Sequence, residues 1–88
     1  MTKRLVTVKN PEGLHARPVA RFVAETRNFS SSIRLTVPHT GQWADAKSVL
    51  MVLALRLSTG TQVLLSADGP DEAQAVEALA ALLERGND

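Results

Sequence analysis

Apolar and polar positions alternate along Arg4-Leu5-Val6-Thr7-Val8-Lys9, setting Val6 and Val8 on one side and Thr7 and Lys9 on the other, the period of a half-buried strand. After the loop Asn10 to Leu14 the spacing becomes helical. Val19, Ala20, Phe22 and Val23 fall on an inward stripe, with Arg21 and Glu25 outward, predicting a helix from Ala16 to about Arg27 that stops near Asn28. Phe29, between that stop and the polar run Ser30-Ser31-Ser32, is placed to plug the end of a core. Strict alternation returns at Ile33-Arg34-Leu35-Thr36-Val37, a strand with Ile33, Leu35 and Val37 inward, and the turn Pro38 to Gly41 leads into a short strand Gln42 to Asp45 as a hairpin. Ser48 then precedes an apolar run from Val49 to Leu57, where its hydroxyl reads as a helix N-cap. A strand follows over Thr61 to Ala67, with Val63 and Leu65 inward. Beyond the turn Asp68-Gly69-Pro70, Asp71 and Gln74 read as a variant capping box for a last helix, with Ala75, Val76, Leu79, Leu82 and Leu83 on one face and Gly86 as its stop. The carboxylates Asp71, Glu72, Glu77 and Glu84 read as solvated.

The order strand, helix, strand, strand, helix, strand, helix predicts an α+β two-layer fold: a four-stranded, mostly antiparallel sheet covered by three helices (β-α-β-β-α-β-α). Eighty-eight residues suffice for a single domain, 1–88, and for one core. Without cysteine there is neither a disulfide framework nor a thiolate metal site, and His15 and His39 are too far apart in sequence for zinc-ligand spacing, so no metal and no cofactor is expected. No signal peptide and no membrane-spanning stretch is apparent, which points to a cytoplasmic protein, and a monomer is expected. Ten basic against nine acidic residues leave a net charge of +1, and one Trp, two Phe and no Tyr offer few stacking platforms. Both counts argue against a small nucleic-acid-binding domain of the same element order. His39 and Trp43 read as a turn-tip residue and a packing or cross-strand residue.

The chemistry gathers at Gly13-Leu14-His15-Ala16-Arg17-Pro18. Proline is tolerated in a helix's first turn, where its missing N–H has no intrahelical partner, so Pro18 makes Ala16, Arg17 and Pro18 the first helical positions and His15 the flanking residue. A helix start presents unpaired N–H groups and the positive end of the dipole, and Arg17 adds a planar set of donors suited to phosphate. With a free pKa near ~6.5, His15 is in good part neutral at neutral pH and able to attack a phosphoryl group. Taken singly, such a histidine is more often a solvated or capping residue, and Arg17 a solvated charge. Their combination with Gly13 and Pro18 at fixed offsets describes a phosphoryl-relay site.

The segment Pro11-Glu12-Gly13-Leu14-His15-Ala16-Arg17-Pro18-Val19-Ala20 resembles the active-centre signature of the HPr family, the histidine-containing phosphocarriers of the bacterial phosphoenolpyruvate-dependent sugar phosphotransferase system. A second block, Ala46-Lys47-Ser48-Val49-Leu50, is similar to that family's regulatory-serine segment, and length and element order agree as well. The resemblance implies an open-faced β-sandwich and a carrier that is not itself an enzyme. Phosphate would pass from phosphorylated enzyme I to His15, on Nδ1, with Arg17 as its phosphate-binding partner, and then to sugar-specific acceptor components. Ser48 would be a regulatory site addressed by a serine kinase and phosphatase, with Lys47 helping to neutralise its phosphate. An alternative within the same resemblance is a regulatory HPr-like protein that binds transcriptional or metabolic regulators in carbon or nitrogen control. His15 separates the two, since a purely regulatory member has no use for a nucleophile there.

The run from Val49 is apolar nearly all round, and a short helix in a small domain leaves part of such a surface exposed. Together with the resemblance, this places partner docking on Val49, Leu50 and Leu53, beside Pro18 of the first helix, with Arg17 and Arg21 supplying charge to acidic partner surfaces. Four departures from the family stand out, the first a turn Pro38 to Gly41 a little longer than in typical members. Arg56 occupies a position where glycine is common, which strains the chain if its φ is positive. Asp45 places an acid near Ser48, and Glu12 one near the histidine loop. None of them alters His15, Arg17 or Pro18.

Overall fold

The structure, a computed structural model, describes residues 1–9 and 16–85, the side chains of Ala16 and Arg17 excepted. The observed elements are β1 (Thr2–Thr7), α1 (Ala16–Thr26), β2 (Ser32–Thr36), β3 (Trp43–Asp45), α2 (Val49–Ala54), β4 (Gln62–Asp68) and α3 (Glu72–Glu84). The strands form one sheet in the order β1-β4-β2-β3, with every neighbouring pair antiparallel. Helices α1, α2 and α3 pack together, and α3 lies against β1 and β4.

Alternation decides which face the helices cover. Val6, Val63, Leu65, Ala67, Ile33, Leu35 and Ala44 point to one side and are buried, as are Val8 and Val37 just past their strands. Opposite them sit Val19, Phe22 and Val23 of α1, Val52 of α2, and Ala75, Val76, Leu79, Ala80 and Leu83 of α3. Each fully buried Val or Leu is worth about 1.5–3 kcal/mol over its exposed state, so this one layer carries most of the cohesion. Phe29 packs against the core's edge as its position suggested.

Four local expectations change. Ala20 is exposed, because the stripe of α1 continues through Val19, Phe22, Val23 and Thr26 and leaves position 20 on the outer side. Thr26 takes the inward place as a buried polar residue, its hydroxyl donating to the Val23 carbonyl at 2.6 Å and lying 3.3 Å from the Ala46 carbonyl. The second helix ends at Ala54, and Leu55 and Leu57 turn back into the core on either side of Arg56. Asp71 precedes α3 but makes no capping bond to it, and Asp71 and Glu72 are both engaged by other parts of the chain, so the capping box and the solvated pair are both replaced. The stop at Gly86 lies outside the described residues.

Candidate functional site

Helix α1 begins at Ala16, the residue after His15 in sequence, which is where Pro18 requires it to begin. His15, Gly13 and Glu12 lie outside the described residues, and the side chain of Arg17 is likewise not described. What the structure shows is the frame around them. Pro18 is half-buried, Val19 fully buried and Arg21 exposed, so the first turn of α1 is anchored on one side and open on the other.

Helices α1 and α2 are held side by side at their junction. The Arg27 guanidinium donates to the Lys47 carbonyl at 3.2 Å, and the Lys47 ammonium donates to the Phe29 carbonyl at 2.8 Å. With the Thr26 hydroxyl near the Ala46 carbonyl, these bonds stitch the end of α1 to the segment entering α2. The charge of Lys47 is directed to the carbonyl beyond the end of α1, a favourable place for a cation.

Ser48 is the N-cap of α2. Its backbone is extended (φ −111°, ψ 113°) and its Oγ accepts from the Met51 N–H at 3.3 Å. Just before it, the Asp45 carboxylate accepts from the Lys47 N–H at 2.9 Å and the Asp45 carbonyl from the Ser48 N–H at 3.0 Å, a turn closed by the very acid that stood out in the sequence. At the far end, the Leu55 and Arg56 N–H groups bond to the Val52 and Leu53 carbonyls at 3.1 Å each, and Arg56 takes φ +51°. A side chain at positive φ costs of order 1 kcal/mol or more, so the departure from glycine is a strained one.

Of the three α2 residues expected to dock partners, only Leu50 is fully presented, at 80% exposure. Val49 and Leu53 are half-buried against the core, because six residues of helix can turn only one narrow face outward. Met51, at 38%, is exposed beside Leu50, a position the docking expectation did not include. The sequence held its signal, since Met51 borders Leu50 within a run apolar all round, but burial alone separates the exposed pair from its neighbours.

Two carboxylates at the start of α3 are perturbed. Asp71 accepts from the Ser31 hydroxyl at 2.5 Å and from the Ser30 and Ser31 N–H groups at 2.9 and 3.0 Å; the Ser31 hydroxyl first, then the Ser30 N–H, hold its pKa below the usual range. Glu72 accepts from the Thr2 hydroxyl at 2.6 Å and the Gly69 N–H at 3.2 Å, and lies 3.0 Å from the N-terminal ammonium; the Thr2 bond leads in lowering its pKa to about 2. Both act as structural acceptors. Among the described residues no group of His, Cys, Asp and Glu is arranged to hold a metal ion, and no helix is long and apolar enough to cross a membrane.

A two-layer α+β fold with one open sheet face, and with helix starts at Ala16 and after Ser48, defines the class: a small open-faced sheet covered on one side by three helices. Comparison with known proteins makes this specific: residues 2–85 match the family described as PTS HPr component phosphorylation site, and the chain belongs to the HPr family. It is 47% identical over 83 residues to the phosphocarrier protein HPr of Haemophilus influenzae, covering 94% of this chain and 95% of that one. To the HPr-like protein Crh of Bacillus subtilis it is 42% identical over 84 residues, covering 96% of each. Among solved structures, HPr of Thermoanaerobacter tengcongensis superposes with a TM-score of 0.88 at 40% identity, covering 94% of this chain and 91% of that one. An HPr dimer from the same organism matches with a TM-score of 0.71 at 40% identity, covering 93% of this chain and 92% of that one.

Proposed function

We propose that this chain is the phosphoryl carrier of a phosphoenolpyruvate-dependent phosphotransferase relay, with His15 as the acceptor and Arg17 as the group that steadies the bound phosphate. The observation that carries the reading is the family match over residues 2–85 together with a helix that begins at Ala16, immediately after the one histidine at a helix start. The protein is a carrier and not an enzyme: it is phosphorylated by enzyme I and consumed by sugar-specific acceptor components. In the accepting step the neutral His15 Nδ1 attacks the phosphoryl group on enzyme I, an N–P bond forms, and the bond to the donor breaks. The donor keeps the electron pair. The helix dipole and the Arg17 guanidinium favour the dianion on the carrier.

The working unit in this reading is a single domain, 1–88, in the cytoplasm. Partners meet the open side of α1 and α2, through Pro18, Arg21 and Leu50, with the half-buried Val49 and Leu53 contributing their rims. Ser48 is the candidate regulatory site for a kinase and phosphatase; a phosphate there would lie at the N-cap, where the dipole tolerates it, and would change docking through charge. The similarity to Crh keeps a second reading in view, regulation by protein binding without relay.

Phosphoenolpyruvate and enzyme I are expected to add one phosphate that is labile to acid and stable to alkali, seen by intact mass spectrometry, and His15→Ala is expected to abolish it. A folded wild-type protein that takes no phosphate from an enzyme I active on another carrier would discard the relay and leave the regulatory reading.

A further inference from the structure

The face of the sheet turned away from the helices has a pattern of its own, set out by the register. One row of facing residues crosses all four strands as Leu5, Leu64, Thr36 and Trp43; the next crosses as Lys3, Ser66, Arg34 and Asp45. The first row is apolar apart from Thr36, and its end members Leu5 and Trp43 are 52% and 50% exposed. The second is charged, basic on β1 and β2 and acidic on β3. Arg34 joins the rows by lying over the Trp43 ring, 4.2 Å from its centroid. Between them the surface dips into a shallow concavity of about 720 Å³. Single exposed apolar residues are ordinary, whereas a stripe running from one edge of a sheet to the other is a patch.

The strand order determines what matches this patch. In the order β1-β4-β2-β3, a two-fold axis running along the strands between β4 and β2 lays β1 over β3 of a second copy and β4 over β2. Leu5 then meets Trp43 of the second copy, and Lys3 meets Asp45 of the second copy, each contact occurring twice. An axis across the strands overlays each strand on its own copy, and each strand carries one sign of charge on this face: Lys3 on β1, Asp68 on β4, Arg34 on β2 and Asp45 on β3. Only the first arrangement brings opposite charges together.

We propose that a second copy of this chain docks on the open face through the Leu5–Leu64–Thr36–Trp43 stripe, giving a reversible face-to-face dimer. Strands about 4.8 Å apart with a rise of about 3.4 Å per residue make this face some 15–20 Å on a side, short of the ~800 Å² per partner of stable complexes. The dimer is accordingly weak, with a Kd of about 100 μM or higher, and the protein is monomeric when dilute. Helix α1 lies on the other side of the sheet, so pairing leaves the start of that helix open.

The test combines sedimentation velocity from about 10 μM to about 1 mM with the emission of Trp43, the one tryptophan of the chain. Association is expected to rise across that range with a blue shift of the emission, and to be lost in Trp43→Ala. Lys3→Glu and Asp45→Lys are each expected to weaken association about ten-fold, since each turns two attractions into repulsions. Mixed in equal amounts they are expected to associate as strongly as the wild type, because both contacts again join opposite charges. Asp45 also accepts the Lys47 N–H, so Asp45→Asn, which keeps an acceptor and removes the charge, stands in if Asp45→Lys misfolds by circular dichroism. A wild type still monomeric at the highest concentration with unshifted emission overturns the proposal. So does a folded pair of charge variants that fails to re-associate on mixing, or a dimer that survives Trp43→Ala, which would be one built by strand exchange or through another face.

Discussion

Ser48 and Asp71 occupy equivalent places, each one residue ahead of a helix with a side chain able to accept from its first N–H groups, yet they do different things. Ser48 caps its own helix through the Met51 N–H. Asp71 ignores α3 and reaches across to Ser30 and Ser31, where two N–H groups and a hydroxyl at the turn between α1 and β2 need an acceptor. The difference follows from what each residue faces. α2 is short and its entrance is closed locally by Asp45, so nothing distant competes for Ser48; α3 starts against the α1–β2 turn, and a carboxylate there makes charge-assisted bonds stronger than one capping bond. Glu72 extends the same arrangement to the start of β1 through Thr2. One helix entrance is thus a local device and the other a clamp holding three segments together.

The sharpest break of the clamp is steric. A Cβ on Gly69 would lie 2.7 Å from the Ser31 Cα, a backbone atom that cannot swing aside, so Gly69→Ala is expected to cost about 2–4 kcal/mol in urea unfolding. A loss below about 1 kcal/mol would mean that the α1–β2 turn yields freely and that the clamp is loose.

Next comes the charge. Asp71→Asn is expected to lower the melting temperature by several degrees at neutral pH. Because Asp71 and Glu72 both have depressed pKa values when folded, their stabilisation is complete above the unfolded carboxylate range and is lost as pH falls, for Glu72 from about 4.5 down to about 2. Asp71→Asn combined with Glu72→Gln is expected to flatten the wild-type loss of stability across that acid window; an unchanged acid profile would assign the loss to other carboxylates.

The contrast sharpens at α2, where the N-cap bond and the closing turn are both made by neighbouring residues. Arg56→Gly removes a side chain held at φ +51° and is expected to stabilise by about 1 kcal/mol, read as a rise in the urea midpoint at constant slope. The smallest effect belongs to Ser48→Ala, about 0.5–1 kcal/mol, because its 3.3 Å bond is exposed and water replaces it at little cost. If Ser48→Ala outweighs Asp71→Asn in melting temperature, the ranking of local cap below long-range clamp is wrong.

Legibility followed the same division. The strands and helices were readable because alternation and helical spacing are set by backbone geometry, which every residue shares. Ser48 as a cap and the risk at Arg56 were readable because both depend on residues next to them. Ala20, Asp71 and Glu72 were misjudged because the exact turn of a stripe and the diversion of a carboxylate depend on what lies opposite. Met51 and Leu50 could be separated from Val49 and Leu53 only by burial.

The chain by itself determined the element order, the inward residues of the three longer strands, the cap at Ser48 and the helix start that follows His15, since each of these is decided within a few residues by dihedral limits, side-chain period or a missing N–H. The tertiary structure alone decided the order β1-β4-β2-β3, the cross-strand rows of the open face and the clamp that joins Thr2 to Glu72 across 70 positions of sequence. Those depend on which distant donors and acceptors lose their water together, and no local pattern encodes that.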